Sequence, residues 1–75
     1  DKDEDLIGSP IPGRVVAIQQ IVGQRIKKNA PIIIVEAMKM EHIIRAPHDG
    51  KIVEIKCQVG ENVKENKSLV TLIKL

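Results

Sequence analysis

The chain has no Phe, Tyr or Trp among its 75 residues, only one Cys, and almost no excess of charge. Without aromatic rings, any hydrophobic core must be aliphatic, and no ring is available to stack on a nucleic-acid base. The 12 basic and 10 acidic residues give a net charge of +2, and the basic residues are scattered among acids. The sequence therefore predicts no nucleic-acid partner.

The sequence also lacks the usual signals of a disulfide, a membrane span or a leader sequence. Cys57 has no second cysteine to pair with, which fits a reducing compartment. No apolar run approaches the roughly 18 residues of a transmembrane helix, so we predict no membrane partner. The chain opens with the charged stretch DKDED and no initiator Met, so we expect a piece of a larger protein. Residues 1–4 are then linker, and residues 5–75 form one domain.

Apolar β-branched residues are abundant, and their pattern repeats along the chain. The 13 Ile and 8 Val favour strands over helices. Residues 3–36 align without gaps on residues 40–73 at a constant offset of 37, with ten identities in 34 pairs. The identical pairs are Glu4/Glu41, Ile7/Ile44, Pro10/Pro47, Gly13/Gly50, Val16/Val53, Ile18/Ile55, Val22/Val59, Gly23/Gly60, Lys27/Lys64 and Asn29/Asn66.

Each repeat reads as short strands separated by turns. SPIPG and APHDG end in glycines that we assign to turns, and VGQRIKKN and VGENVKEN carry Gly and Asn, which tolerate positive φ. RVVAI, KIVEI, PIIIVE and SLVTLIK are the intervening strands, and the pairs Val16/Val53 and Ile18/Ile55 are expected to face one core. Strands this short and closely spaced predict an all-β sandwich or flattened barrel with an internal pseudo-twofold repeat.

The segment 32–46 has two interpretations by periodicity alone. Its residues Ile33, Ala37, Met40 and Ile44 fall on one face of a helix. The repeat favours a hairpin instead, since one unit's last strand meets the next unit's first strand between Glu36 and Glu41. Only residues 37–39 remain outside the matched segments, enough for a tight turn.

Pseudo-symmetry gives Lys39 an unusual place. The offset of 37 maps it just past the end of the chain, so the termini should lie together at one end of the domain and Lys39 at the other. A tethered domain could present this amine to another protein. A solvated turn lysine without a special role is the alternative that geometry leaves open.

The motif EAMKM, followed by APHDG within such a repeat, resembles the biotinyl carrier domain of biotin-dependent carboxylases. The similarity runs from Leu6 to Ile73. It implies two four-stranded antiparallel sheets and a lysine, Lys39, that a biotin protein ligase loads with covalent biotin. Met38 and Met40 would flank and define the site, and Ala37 and Glu36 complete the motif on its N-terminal side.

The resemblance also implies a function. Biotin on Lys39 would carry a carboxyl group between the biotin carboxylase and carboxyltransferase parts of the parent enzyme, so the domain is a non-catalytic carrier. The string AMKMEHIIRAPHDG is most similar to carriers of acyl-CoA carboxylases, especially methylcrotonoyl-CoA carboxylase, although pyruvate, propionyl-CoA and urea carboxylases have similar domains. The location would be cytoplasmic in a bacterium and the mitochondrial matrix in a eukaryote.

Two other functions and one other kind of site are compatible with parts of the sequence. Lipoyl carrier domains have a lysine on the same turn, but typically in an Asp-Lys-Ala context that is lacking here. Unmodified structural modules of efflux pumps share the fold but carry a long insertion, whereas this repeat is gap-free and has no room for a thumb-like one. His42, His48 and Cys57 are the candidate soft metal ligands, and their spacing matches no zinc pattern, so we predict no metal site.

Overall fold

The computed structural model describes residues 4–75, which form eight strands in two four-stranded antiparallel sheets. This confirms the all-β fold predicted from the repeat. No helix in this part of the chain is long and apolar enough to cross a membrane. The strands are β1 (Glu4–Gly8), β2 (Gly13–Ile18), β3 (Arg25–Ile26), β4 (Pro31–Ala37), β5 (Met40–Arg45), β6 (Gly50–Ile55), β7 (Asn62–Val63) and β8 (Ser68–Lys74).

The predicted linker lies mostly outside this description. Residues 1–3 are not among the described residues, and Glu4 is the first residue of β1, where it pairs with Ile73 of β8.

The two sheets are built from both sequence repeats. The first sheet has the order β1-β8-β6-β3 and the second the order β5-β4-β2-β7, so the offset of 37 residues converts one into the other. Each sheet takes two strands from each repeat, and neither repeat has a complete sheet of its own. Residues 19–24 join β2 to β3 just as residues 56–61 join β6 to β7, with no inserted thumb.

The core lies between the sheets and is aliphatic, as the composition predicts. Fully buried side chains include Ile32, Ile33, Val35, Leu69, Val70 and Leu72. On β2 and β6 the fully buried residues are Val15 and Ile52.

The expectation that Val16 and Val53 face the core is wrong. Both are only half-buried, and each is the extra residue where its strand shifts register against β4 or β8. A bulge of this kind sets two residues against one and interrupts the alternation of side chains. Ile18 and Ile55 do pack against the core, on its margin.

The glycines and asparagines of the repeat divide into two kinds. Gly23 and Gly60 have φ of 92° and 93°, and Asn29 and Asn66 have φ of 73° and 67°, which confirms their predicted role in turns. Gly13 and Gly50 instead begin strands, without positive φ.

Assigning Gly13 and Gly50 to turns was therefore wrong. A Cβ atom on Gly13 would lie 2.5 Å from the backbone oxygen of Glu36, and one on Gly50 would lie 2.5 Å from that of Ile73. Both glycines allow two backbones to approach closely.

The C-terminus and the turn after β4 lie at opposite ends, as the pseudo-symmetry predicts. The backbone N–H of Leu75 donates to the carbonyl of Asp49 (3.4 Å), and the Asp49 carboxylate accepts the N–H of Lys28 (2.8 Å). This places the C-terminus beside the open end of the β4–β5 hairpin, where Pro31 pairs with Arg45. The hairpin then runs about 20 Å along β4 to its turn, in a domain 34 Å long.

Candidate functional site

Lys39 lies in the two-residue turn that joins β4 to β5. Ala37 and Met40 form the last strand pair, and the central residues Met38 and Lys39 have φ of 53° and 64°. Two positive φ angles are typical of a type I′ turn, whose twist matches that of the flanking strands. The hairpin prediction is confirmed, and the helical interpretation of residues 32–46 is excluded.

The two central residues of this turn are not of the types that adopt a left-handed backbone at low cost. Type I′ turns favour Asn-Gly or Asp-Gly because the left-handed region costs other residues about 1–2 kcal/mol each. Here Met and Lys occupy both positions. Strain of this kind persists where the surrounding structure holds it in place, and it clusters at functional sites.

The side chains around the turn are unusually open to solvent. Met38 is 94% exposed and Met40 is 63% exposed, so two apolar thioethers flank the exposed Lys39 in water. Within residues 4–75, none of the ion pairs or side-chain hydrogen bonds involves the Lys39 amine. The turn thus offers a primary amine between two apolar side chains that do little for the fold.

Packing beneath the turn fixes its height above the sheets. Ala37 is buried, and a Cβ atom on Gly13 would lie only 3.2 Å from the Cβ of Ala37 and 2.7 Å from Cγ1 of Val35. The close approach of β2 to β4 therefore supports the last pair before the turn. Sequence reasoning missed Gly13 as a supporting residue, although its recurrence as Gly50 marked it as structural.

Charged residues form a row across the second sheet next to the turn. Glu36 pairs in register with Glu41 on β5 and with Arg14 on β2. The guanidinium of Arg14 lies 3.7 Å from the Glu36 carboxylate, with both side chains exposed. An exposed pair of this kind contributes about 0–1 kcal/mol. The carboxylate of Glu41 thus stands beside another carboxylate, and the row carries one more negative than positive charge.

The candidate metal ligands do not come together. His42 lies in β5 opposite Val35, and Cys57 is buried in the core, where desolvation raises the pKa of its thiol. His48 bonds to the carboxylate of Asp5 and to the backbone carbonyl of Asp49. Among residues 4–75, no group of three or more His, Cys, Asp or Glu side chains is arranged to hold a metal ion.

Residues 5–72 match the sequence model of the biotin/lipoyl family, described as "Biotin-requiring enzyme". That range covers nearly all of both repeats and the turn with Lys39. The chain belongs to this family. The family resemblance inferred from the motif is thereby confirmed.

The relatives of this biotinyl domain are much longer carboxylases. Over 34 residues, 45% of this chain, it is 50% identical to the mitochondrial methylcrotonoyl-CoA carboxylase subunit alpha of Dictyostelium discoideum, of which it covers 5%. Over 35 residues, 47% of this chain, it is 49% identical to the pyruvate carboxylase of Staphylococcus aureus, of which it covers 3%.

The solved structures agree with the fold. A single-chain, multi-domain long-chain acyl-CoA carboxylase matches 100% of this biotinyl domain with a TM-score of 0.93 and 25% identity, and the domain covers 8% of that chain. The chain is thus a non-catalytic carrier domain of the kind found in carboxylases, and the family and its relatives imply covalently bound biotin as the cofactor.

Proposed function

We propose that Lys39 is the residue that carries biotin, and that the domain moves a carboxyl group between two active sites of its parent carboxylase. The observation that carries the proposal is the turn itself. Among the described residues, Lys39 is the one lysine with a positive φ, it follows a nearly fully exposed Met38, and it lies at the end of the domain opposite the C-terminus. A group attached to its amine would project away from the sheets.

Four of the other lysines offer poorer sites. Lys51 and Lys74 lie within strands, near the termini. Lys56 and Lys67 lie 3.8 Å and 2.6 Å from the carboxylates of Glu54 and Glu61. An amine held in an ion pair must lose that partner before it can be acylated, whereas Lys39 needs no such rearrangement.

The flanking residues have separate parts in this proposal. Met38 and Met40 are the apolar contacts for the biotin protein ligase, because they are exposed beside the amine and bury little in the domain. Ala37 and Glu36 hold the turn from below, Ala37 through its contact with β2 and Glu36 through its pairing with Arg14. The ligase must also supply a base, since a lysine amine is ordinarily protonated at neutral pH.

Bound biotin would supply the carboxyl-carrying chemistry. The protein contributes position. Tethering through the terminal end of the domain raises the concentration of the Lys39 end at the biotin carboxylase and carboxyltransferase sites, which are the partners we propose. Neither nucleic acid nor a membrane has a part in this cycle.

We further propose an acyl-CoA carboxylase, of the methylcrotonoyl-CoA type, as the parent enzyme. The string AMKMEHIIRAPHDG supports it, as does the 50% identity to a methylcrotonoyl-CoA carboxylase subunit. A pyruvate carboxylase is 49% identical over a similar length, so pyruvate is the competing acceptor. The proposed location is cytoplasmic in a bacterium and the mitochondrial matrix in a eukaryote.

Intact mass after incubation with biotin protein ligase, ATP and biotin tests the attachment site. We expect one biotinyl increment on the wild-type chain and none on Lys39→Ala, whose circular dichroism spectrum should stay that of the wild type. Lys27→Ala removes an exposed lysine elsewhere and is the matched control, expected to label fully. Biotin retained by Lys39→Ala would refute the site, and a lipoyl increment with lipoate ligase but none with biotin ligase would favour a lipoyl carrier.

A further inference from the structure

The side chains most open to two-electron oxidation lie beside Lys39. The chain has two methionines and one cysteine, and no Trp or Tyr. Both methionines flank the turn, with exposures of 94% for Met38 and 63% for Met40. Cys57 is 7% exposed, and burial raises the pKa of its thiol, which lowers the fraction of reactive thiolate.

We propose that Met38 and Met40 form an oxidation site for hydroperoxides, and that their sulfoxides block the loading of Lys39 with biotin. The inference rests on the proposed function, since it concerns the regulation of the same turn. In each step a thioether sulfur attacks one peroxide oxygen, the O–O bond breaks, and an S–O bond forms. The sulfur loses two electrons, the attacked oxygen gives up its proton to become the sulfoxide oxygen, and the other peroxide oxygen takes up a proton and leaves as water (from hydrogen peroxide) or as an alcohol (from an organic hydroperoxide).

Exposure makes the oxidation local in its effect. Met38 contacts almost nothing in the domain, and Met40 is a largely exposed residue at the first position of β5. A sulfoxide at either position therefore leaves the core and the strand pairing as they are. The change falls on whatever binds the turn from outside.

A ligase that reads the turn meets a different surface after oxidation. Thioethers are apolar and adaptable, whereas a sulfoxide is polar and chiral. Burying an unpartnered polar oxygen in an apolar contact is costly, so we expect the rate of biotin loading to fall by about 10-fold or more. Reductases that return methionine sulfoxide to methionine would restore loading.

The test uses the full chain treated with hydrogen peroxide. Peptide mapping should find the first oxygen on Met38 and the second on Met40, in the order of their exposure. Labelling by biotin protein ligase should slow relative to the untreated chain, with an unchanged melting temperature, and treatment with both methionine sulfoxide reductases should restore it.

Two variants separate the methionines from the cysteine. Met38→Leu with Met40→Leu, compared with its own untreated sample, should lose the sensitivity to peroxide, whereas Cys57→Ala should keep it. Should the leucine variant label too slowly to compare, recovery after the reductases decides the matter in the wild-type chain. Equal labelling of oxidised and untreated wild type, or no recovery, would overturn the inference. An untreated chain that takes no biotin would instead remove the proposed function, and this inference with it.

Discussion

Gly13 lies directly beneath Ala37, so close that a Cβ atom on the glycine would meet the Ala37 Cβ at 3.2 Å and the Glu36 oxygen at 2.5 Å. The pseudo-symmetric contact is that of Gly50 with Ile73, at the opposite end of the domain. One pair thus supports the turn with Lys39, and the other supports the end where the C-terminus lies. Gly50 is therefore a matched control for Gly13, since it makes the same kind of contact far from the turn.

Gly13→Ala and Gly50→Ala should both destabilise the domain. Each added methyl group meets backbone that cannot move aside without disturbing a strand pair, and overpacking of this kind typically costs about 1–3 kcal/mol. Only Gly13→Ala should also slow biotin loading of the folded fraction, because it displaces the base of the turn. Urea denaturation and ligase kinetics measure the two effects, and equal loading rates for the two variants would contradict the role given to Gly13.

The strained backbone at Lys39 predicts that replacing this residue with glycine stabilises the domain relative to replacing it with alanine. Lys39→Gly and Lys39→Ala both remove the amine, so neither should accept biotin. They differ in the cost of the left-handed backbone, which glycine avoids, so Lys39→Gly should be the more stable by about 1 kcal/mol. Thermal unfolding measures the difference. The control is the same comparison of glycine with alanine at Met40, which lacks a positive φ. There Met40→Gly should be less stable than Met40→Ala.

The contact between His48 and Asp5 predicts a dependence of stability on pH. Nδ1 of His48 donates to the Asp49 carbonyl (2.8 Å) and Nε2 donates to the Asp5 carboxylate, which only the protonated ring can do at once. The Asp49 hydrogen bond first, and then Asp5, raise the pKa of His48 above 6.5, against the opposing effects of desolvation and of Lys74. Its stabilisation is therefore complete below pH 6.5 and declines as the pH rises through the folded-state pKa.

Unfolding of the wild type and His48→Gln across pH 5–9 tests this linkage. The difference in stability between the two should be largest at the acid end of that range and shrink toward the alkaline end. Asp5→Asn should weaken the same dependence, since it removes the carboxylate but keeps a similar shape. A difference that grows with pH would contradict the arrangement of hydrogen bonds.

The bulges on β2 and β6 predict unequal effects at neighbouring positions. Ile52 is fully buried, so Ile52→Ala should cost about 2–5 kcal/mol. Val53 is half-buried at the bulge, so Val53→Ala should cost less than about 1 kcal/mol. Val16→Ala, at the equivalent bulge of β2, should behave like Val53→Ala. Chemical denaturation measures all three, and a Val53→Ala variant as unstable as Ile52→Ala would show that the register is different.

Local signals determined the strands and the hairpin. Gly23, Gly60, Asn29 and Asn66 carry the backbone preference of their turns in their own side chains, or in the lack of one, so their recurrence at a fixed offset marked the strand boundaries. The repeat also decided between helix and hairpin for residues 32–46. Recognition of the AMKM motif needed only the sequence, because the four residues are contiguous.

Contacts between distant strands were decided by the tertiary structure alone. His48 and Asp5 are 43 residues apart, and nothing local predicts their hydrogen bond. Gly13 and Gly50 were assigned to turns because glycine serves both turns and close approaches, and only the neighbouring strand distinguishes the two. Bulges likewise follow from how β2 and β6 fit β4 and β8. The sequence encodes which φ each residue tolerates and how polarity alternates, whereas the packing of one strand against another depends on the whole sheet.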